Sequence, residues 1–127
     1  MDVVCPYCKG NAELVDSAEI YGRSYGSIWL CRPCKAYVGV HKNDPECAPL
    51  GTLADSETRK WRIYAHEFFD KLWKIKMRRD KCNKTTARQA GYAWLAEKMG
   101  IEVKDCHISM FNADKCRKVV EICKLSQ

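Results

Sequence analysis

Two pairs of cysteines constrain this chain more than anything else in it. They are Cys5-Pro6-Tyr7-Cys8 and Cys31-Arg32-Pro33-Cys34, separated by twenty-two residues. Zinc takes four soft ligands at tetrahedral corners, and a CxxC turn presents two thiolates from one short loop, so two such turns complete the shell. The separation slightly exceeds the roughly fifteen to twenty residues usual between such pairs, which leaves room for two strands and a long hairpin tip. The pattern therefore predicts one structural zinc ion held by Cys5, Cys8, Cys31 and Cys34 in a zinc ribbon. A closed all-thiolate shell has no open position for a substrate. No other residues assemble a nucleophile, a base and oxyanion donors, so a non-enzymatic protein is expected.

Nine cysteines would suggest disulfides in a secreted chain. Met1-Asp2-Val3-Val4, however, runs straight into Cys5 without the basic and apolar regions of a leader, which predicts a reducing cytoplasm. No apolar run approaches the roughly eighteen residues that a membrane span needs, so no membrane is expected as a partner. The net charge of +6 is unevenly spread: residues 1–50 carry five Lys/Arg against six Asp/Glu, and residues 51–127 carry seventeen against ten. A neutral ribbon followed by a basic remainder raises the prospect of an acidic partner, nucleic acid included.

The ribbon is expected to occupy residues 1–50. Ala12-Glu13-Leu14-Val15 and Ser27-Ile28-Trp29-Leu30 read as strands, joined by the tip Tyr21-Gly22-Arg23-Ser24-Tyr25-Gly26, whose glycines permit positive φ. Tyr21, Arg23 and Tyr25 can stack on bases or anchor a protein. Ala36 to His41 alternates like a third strand, and Asn43, Asp44, Pro45, Pro49 and Gly51 mark the boundary. His41 and Cys47 flank this loop as possible halves of a second metal site.

Residues 51–127 read as about three helices packed on the sheet, an α+β fold that makes one domain overall. Asp55 is placed to cap a helix running to about residue 75, with Trp61, Tyr64, Ala65, Phe68, Leu72 and Ile75 on one stripe and Phe69 and Trp73 widening it. Lys71, Lys74, Lys76, Arg78, Arg79, Lys81, Lys84 and Arg88 follow, opposed only by Asp80, a density that can neutralise several phosphates or can simply be a solvated linker. Thr86-Ala87-Arg88-Gln89 has the form of a capping box for a second helix that stops at Gly100. Trp94 points away from that helix's apolar face, either buried against a third element, the default for so large a ring, or exposed as an anchor. Asn112 caps a last helix with Cys116, Val119, Val120 and Cys123 on one face. Cys106-His107 with Cys116 would form a second metal site if the turn folded back.

Cys5-Pro6-Tyr7-Cys8-Lys9 also looks like a glutaredoxin active site. Too few residues precede it for a central strand, Gly10 and Asn11 weaken the helix that must follow, and no Thr-Val-Pro stretch supplies the facing cis-proline. Taken together, CPYC, IYGRSYGSIWLCRPCKAYVGVH, PLGTLAD, AHEFFDKLW, YAWLAEKMGI and CHISMF resemble a zinc-finger-containing domain family of phage, prophage and bacterial proteins. The resemblance spans nearly the whole chain. It implies zinc at Cys5, Cys8, Cys31 and Cys34, a bacterial or phage-infected cell, and a place in the family's design for the YGRSYG tip and PLGTLAD. Knuckles of this type commonly carry glycine after the second cysteine; Lys9 and Lys35 stand there instead.

Three functions follow for test. The leading one is a nucleic-acid-binding accessory protein that grips DNA or RNA, without reading sequence, through Lys74, Lys76, Arg78, Arg79, Lys81, Lys84 and Arg88 with Tyr21, Arg23 and Tyr25. The second is a protein-interaction module acting on a host protein, and the third a thiol redox protein.

Overall fold

In the computed structural model, which describes residues 1–126, strands β1 (Glu13–Asp16), β2 (Ser27–Cys31) and β3 (Ala36–Gly39) form an antiparallel sheet in that order. The chain divides into two compact units, Met1–Glu57 and another from Thr58 onward. The apolar run Ile28-Trp29-Leu30-Cys31 suits the central strand, and all four residues are buried. Register is set by Leu14 opposite Trp29 and by Cys31 opposite Ala36. One face of β2 thereby presents Trp29 and Cys31 to Val3, Cys5, Ala36 and Leu53, the small core that backs the first and second knuckles.

The hairpin tip differs from the simple turn expected at residues 21–26. A single helical turn, α1 (Ala18–Tyr21), precedes it and ends at Gly22, whose φ of 76° is left-handed. Asp16 and Ser17 explain the turn. The Asp16 carboxylate accepts from the Ala18 amide (2.7 Å) and the Ser24 hydroxyl (3.0 Å), and the buried Ser17 hydroxyl accepts from the Tyr25 amide at 2.7 Å. Such side-chain acceptors compete with strand pairing and nucleate turns.

The third strand stops at Gly39, short of His41. Asp44 closes the loop that follows, accepting from the amides of Glu46 and Ala48 at 3.0 Å each, and these bonds hold its carboxyl below the usual carboxylate range. The returning segment then bridges back, Pro49 to Val40 and Ala54 to Tyr37. Leu53 and Ala54 are each 1% exposed. The PLGTLAD stretch is thus part of the ribbon's packing.

In the second unit, α2 spans Ser56–Asp80, α3 Lys84–Met99 and α4 Ala113–Leu125, with two short 3-10 turns between the last two. Helix α2 runs past the expected end near residue 75. No proline or glycine interrupts it, so the basic residues up to Asp80 lie on helix rather than on a linker. Its buried stripe is Thr58, Ala65, Phe69 and Trp73. Tyr64 and Ile75, expected to face the core, are exposed. Phe69 and Trp73, expected only to widen the stripe, are its centre, because α3 approaches on that side. Gly91 permits the approach, since a Cβ there would lie 3.1 Å from Phe69 Cζ.

The N-cap of helix α3 lies three residues before Thr86, the first residue of the expected capping box. Asn83 is the N-cap and its side chain accepts from the Thr86 amide at 2.8 Å. Gly100 ends the helix in the left-handed conformation, and Asn112 caps α4 by accepting from Lys115, both as expected. Trp94 is half-buried against the helical core, in keeping with the burial expected for so large a ring.

The cysteines of this unit follow the apolar faces. Cys116 and Cys123 are fully buried, and burial pushes both thiols up to about 11. Cys106 is buried and also raised. Cys82, which lies between Lys81 and Lys84 in the sequence, is half-buried at the edge of the core. Because the thiolate is the reactive form, a brief alkylation pulse near pH 8 read by mass spectrometry is expected to label Cys82 first and Cys106, Cys116 and Cys123 last. Prior labelling of Cys123 would mean that α4 does not pack as described.

Candidate metal centre

The first knuckle folds back on itself between the bridged residues Val4 and Asn11, and the second joins β2 to β3. Around the first, Cys5 N–H donates to Gly10 O (2.8 Å), Lys9 N–H to Cys5 O (2.9 Å) and Ala12 N–H to Val3 O (2.7 Å). Lys9 and Lys35 both adopt left-handed backbone, with φ of 67° and 52°. They fill the position where glycine is common, and each costs about 1–2 kcal/mol of local strain. At the first knuckle the sulfur-accepting geometry is kept, the Gly10 amide donating to Cys8 Sγ at 3.4 Å. Asn11 bridges to Val4 after the first knuckle, so no helix follows Cys8. The helix N-terminus that a glutaredoxin-type thiol requires is not formed there.

The four sulfurs of Cys5, Cys8, Cys31 and Cys34 lie within 4.8 Å of one another, and Cys8 Sγ is 3.7 Å from Cys31 Sγ. A tetrahedron built on metal–sulfur bonds of about 2.3 Å has edges of about 3.8 Å. The cluster therefore fits a four-thiolate metal ion. Proton chemistry agrees. Burial disfavours ionisation of Cys5, but the amides of Cys8 and Tyr7 and the neighbouring thiols overcome it and bring the thiol down to about 7. Cys34 is pushed up to about 12, by burial first and then by competition with the other three sulfurs. Four thiolates so close together require a cation to coexist.

Outside the shell, Arg32 joins the second knuckle to β1 and α1. It pairs with Glu13 at 2.8 Å and Glu19 at 2.7 Å, and hydrogen bonds to Glu19 and Glu13 raise its pKa further. Neither His41 with Cys47 nor Cys106 and His107 with Cys116 forms a further ligand cluster; among the described residues the four knuckle cysteines are the one such group. Cys106 and Cys116 instead belong to the helical core.

The remaining residues singled out in the sequence fall into two sets. Tyr21, Arg23 and Tyr25 lie on the ribbon tip, where Tyr21 meets the rings of both Tyr25 and Tyr37 edge-on at 5.8 Å and Arg23 lies over Tyr25 at 5.9 Å. Tyr37 escaped the sequence reading. It sits on β3, and only strand pairing brings it to the tip. Lys74, Lys76, Arg78 and Arg79 lie on α2, Lys81 in the turn after it, and Lys84 and Arg88 on α3. Lys74 and Lys84, ten positions apart, both place their ammonium groups over Trp73, at 5.6 and 5.9 Å. Asp80 takes Lys76 at 2.7 Å and Arg79 at 3.0 Å, and these bonds, Arg79 first, hold its carboxyl down to about 2.

A three-stranded ribbon whose two knuckles bring four cysteines together defines a zinc-binding module. The chain belongs to the zinc-finger-containing domain family, whose profile matches residues 1–126. No curated protein and no solved structure matches it. No helix among the described residues is long and apolar enough to cross a membrane.

Proposed function

We propose that this protein is a non-enzymatic nucleic-acid-binding module, its ribbon held by one zinc ion and its basic helical surface gripping the phosphate backbone. The observation that carries the reading is charge left over after pairing. Asp80 occupies Lys76 and Arg79, while Lys71, Lys74, Arg78, Lys81, Lys84 and Arg88 are exposed with no carboxylate partner among the described residues. Cations grouped in this way attract phosphates and release counterions. Phosphate contacts position a protein without reading sequence, and no base-reading helix is evident. The tyrosines of the tip supply faces on which unpaired bases stack.

Titration with generic DNA and RNA at low and near-physiological salt tests this. Affinity is expected to fall steeply with salt. Replacing Lys74, Arg78, Lys81 and Lys84 with Ala should weaken all sequences alike and flatten the log–log salt slope by about 1 for each phosphate no longer neutralised. Tyr21→Ala and Tyr25→Ala should cost single strands about 1–3 kcal/mol per stacked base. Absence of binding to either nucleic acid at low salt would end this reading.

One observation favours a protein partner as the second reading. A cleft of about 360 Å³ in the helical unit has Leu72, Trp73 and Trp94 in its walls and Lys76 and Arg79 at its rim. A partner anchored there would hold through moderate salt and be lost with Trp94→Ala.

A further inference from the structure

A different cavity in the helical unit, about 490 Å³, lies among α2, α3 and the turns at residues 103–110. Its polar lining suits an anion, with the Gln89 amide beside cationic and hydroxyl groups. Arg88, His66 and His107 bring positive or protonatable groups, Thr85, Ser109 and Tyr92 bring hydroxyls, and no lining residue is acidic. We propose that this cavity binds a phosphate monoester carried on a nucleoside, either a free nucleotide or the phosphorylated end of a strand.

Three features select that chemistry. The guanidinium of Arg88 is a planar fork suited to two phosphate oxygens, and it sits one turn before Tyr92 on α3, both side chains lining the cavity. Thr85 lies in the first turn of α3, a helix of 16 residues, whose positive end favours an anion. His66 has its Nδ1 engaged with the Arg62 carbonyl at 2.8 Å, which leaves Nε2 for a ligand. A protonated ring donates from that atom to a phosphate oxygen, and a neutral ring accepts from a phosphate hydroxyl; a monoester, whose second pKa is about 6, offers both forms near neutrality. Asp70, the carboxylate one turn after His66, is engaged by Trp73 Nε1 at 2.7 Å.

The cavity also holds more than a phosphate. Val103, Ile108 and the ring of Tyr92 give it an apolar side, and Tyr92 is fixed against Phe69 with ring centres 4.5 Å apart. A base or sugar can lie there. The one thiol in the wall, Cys106, is buried, and that burial raises its pKa and makes it a poor nucleophile.

Arg88 is the one cation that this cavity shares with the backbone grip proposed above; Lys74, Arg78, Lys81 and Lys84 do not line it, so the two readings can fail separately. Isothermal titration of the metal-loaded full chain with adenosine monophosphate and with adenosine tests it. The monophosphate should bind at least about tenfold more tightly, a difference of about 1.4 kcal/mol. Arg88→Ala should remove that preference, and Arg88→Lys should restore only part of it; Arg88 is exposed, so both variants should keep the wild-type circular dichroism. The Lys74, Arg78, Lys81 and Lys84 alanine variant should bind the monophosphate as the wild type does. A short oligonucleotide with and without a 5′-phosphate identifies the source: a gain from the phosphate points to a strand end, and no gain, with the monophosphate still bound, points to a free nucleotide. Equal binding of nucleoside and monophosphate, no binding of either at several millimolar, or an unaffected Arg88→Ala variant would overturn the proposal.

Discussion

A strong chelator will unfold the ribbon and leave most of the helical signal standing. The ribbon's own core is small: Val3, Trp29, Ala36 and Leu53 with two of the ligand cysteines. Structural zinc supplies on the order of 10 kcal/mol or more of folding free energy, more than so few apolar side chains can replace at roughly 1.5–3 kcal/mol each. Helices α2, α3 and α4 share a separate core built from Phe69, Leu95, Ile108, Phe111 and Val119. Far-ultraviolet circular dichroism should therefore fall only in part on chelation, while amide exchange within Met1–Glu57 becomes fast. Acid should act in the same direction. In the metal-free ribbon Cys34 is pushed up to about 12 and Cys31 is also raised, so loading the site must displace protons from these thiols. Metal affinity, and with it ribbon stability, then falls as pH falls. Metal analysis of protein prepared with zinc should return one equivalent; a substantially lower value, or a ribbon that stays protected under chelation, would refute the prediction.

Phe69→Ala should destabilise the helical unit by about 3–5 kcal/mol, as deletion of a buried aromatic ring commonly does. Phe69 is 1% exposed and packs on Tyr92. The broken ring pair adds about 0.5–1.5 kcal/mol beyond the area removed from water. Domains of this size have only about 5–15 kcal/mol in all, so the variant should melt far below the wild type. Ile75→Ala, on the same helix but 46% exposed, should cost much less. Urea melts followed by helical signal compare the two. Equal losses would mean that the buried face of α2 has been assigned wrongly.

The contrast between those two residues shows where sequence reasoning ran out. A 25-residue helix with apolar side chains on more than half its circumference allows several stripes at 3.6-residue spacing. Sequence favoured the one through Tyr64 and Ile75. Ala65 of that stripe is buried and Trp61, Phe68 and Leu72 pack on the core, but the centre of burial lies at Phe69 and Trp73, where Gly91 lets α3 come close. The start of α3 was missed for a similar reason: Thr86-x-x-Gln89 and Asn83 are both competent caps, and Asn83 is the one whose side chain reaches the Thr86 amide.

The metal ligands were legible from sequence because their chemistry is local. Each CxxC turn supplies two sulfurs whatever the rest of the chain does, and only the meeting of the two turns needed the pairing of β1 with β2. The helix ends at Gly100 and Asn112 were legible for the same reason, a cap being decided within one turn. The tertiary structure alone decided that Tyr37 joins Tyr21 and Tyr25, that Lys74 and Lys84 meet over one indole, and that His66, Arg88 and His107 share a cavity. Those groups lie on different strands, helices and turns. Their meeting depends on packing summed over many weak interactions, and no short-range spacing in the sequence encodes it.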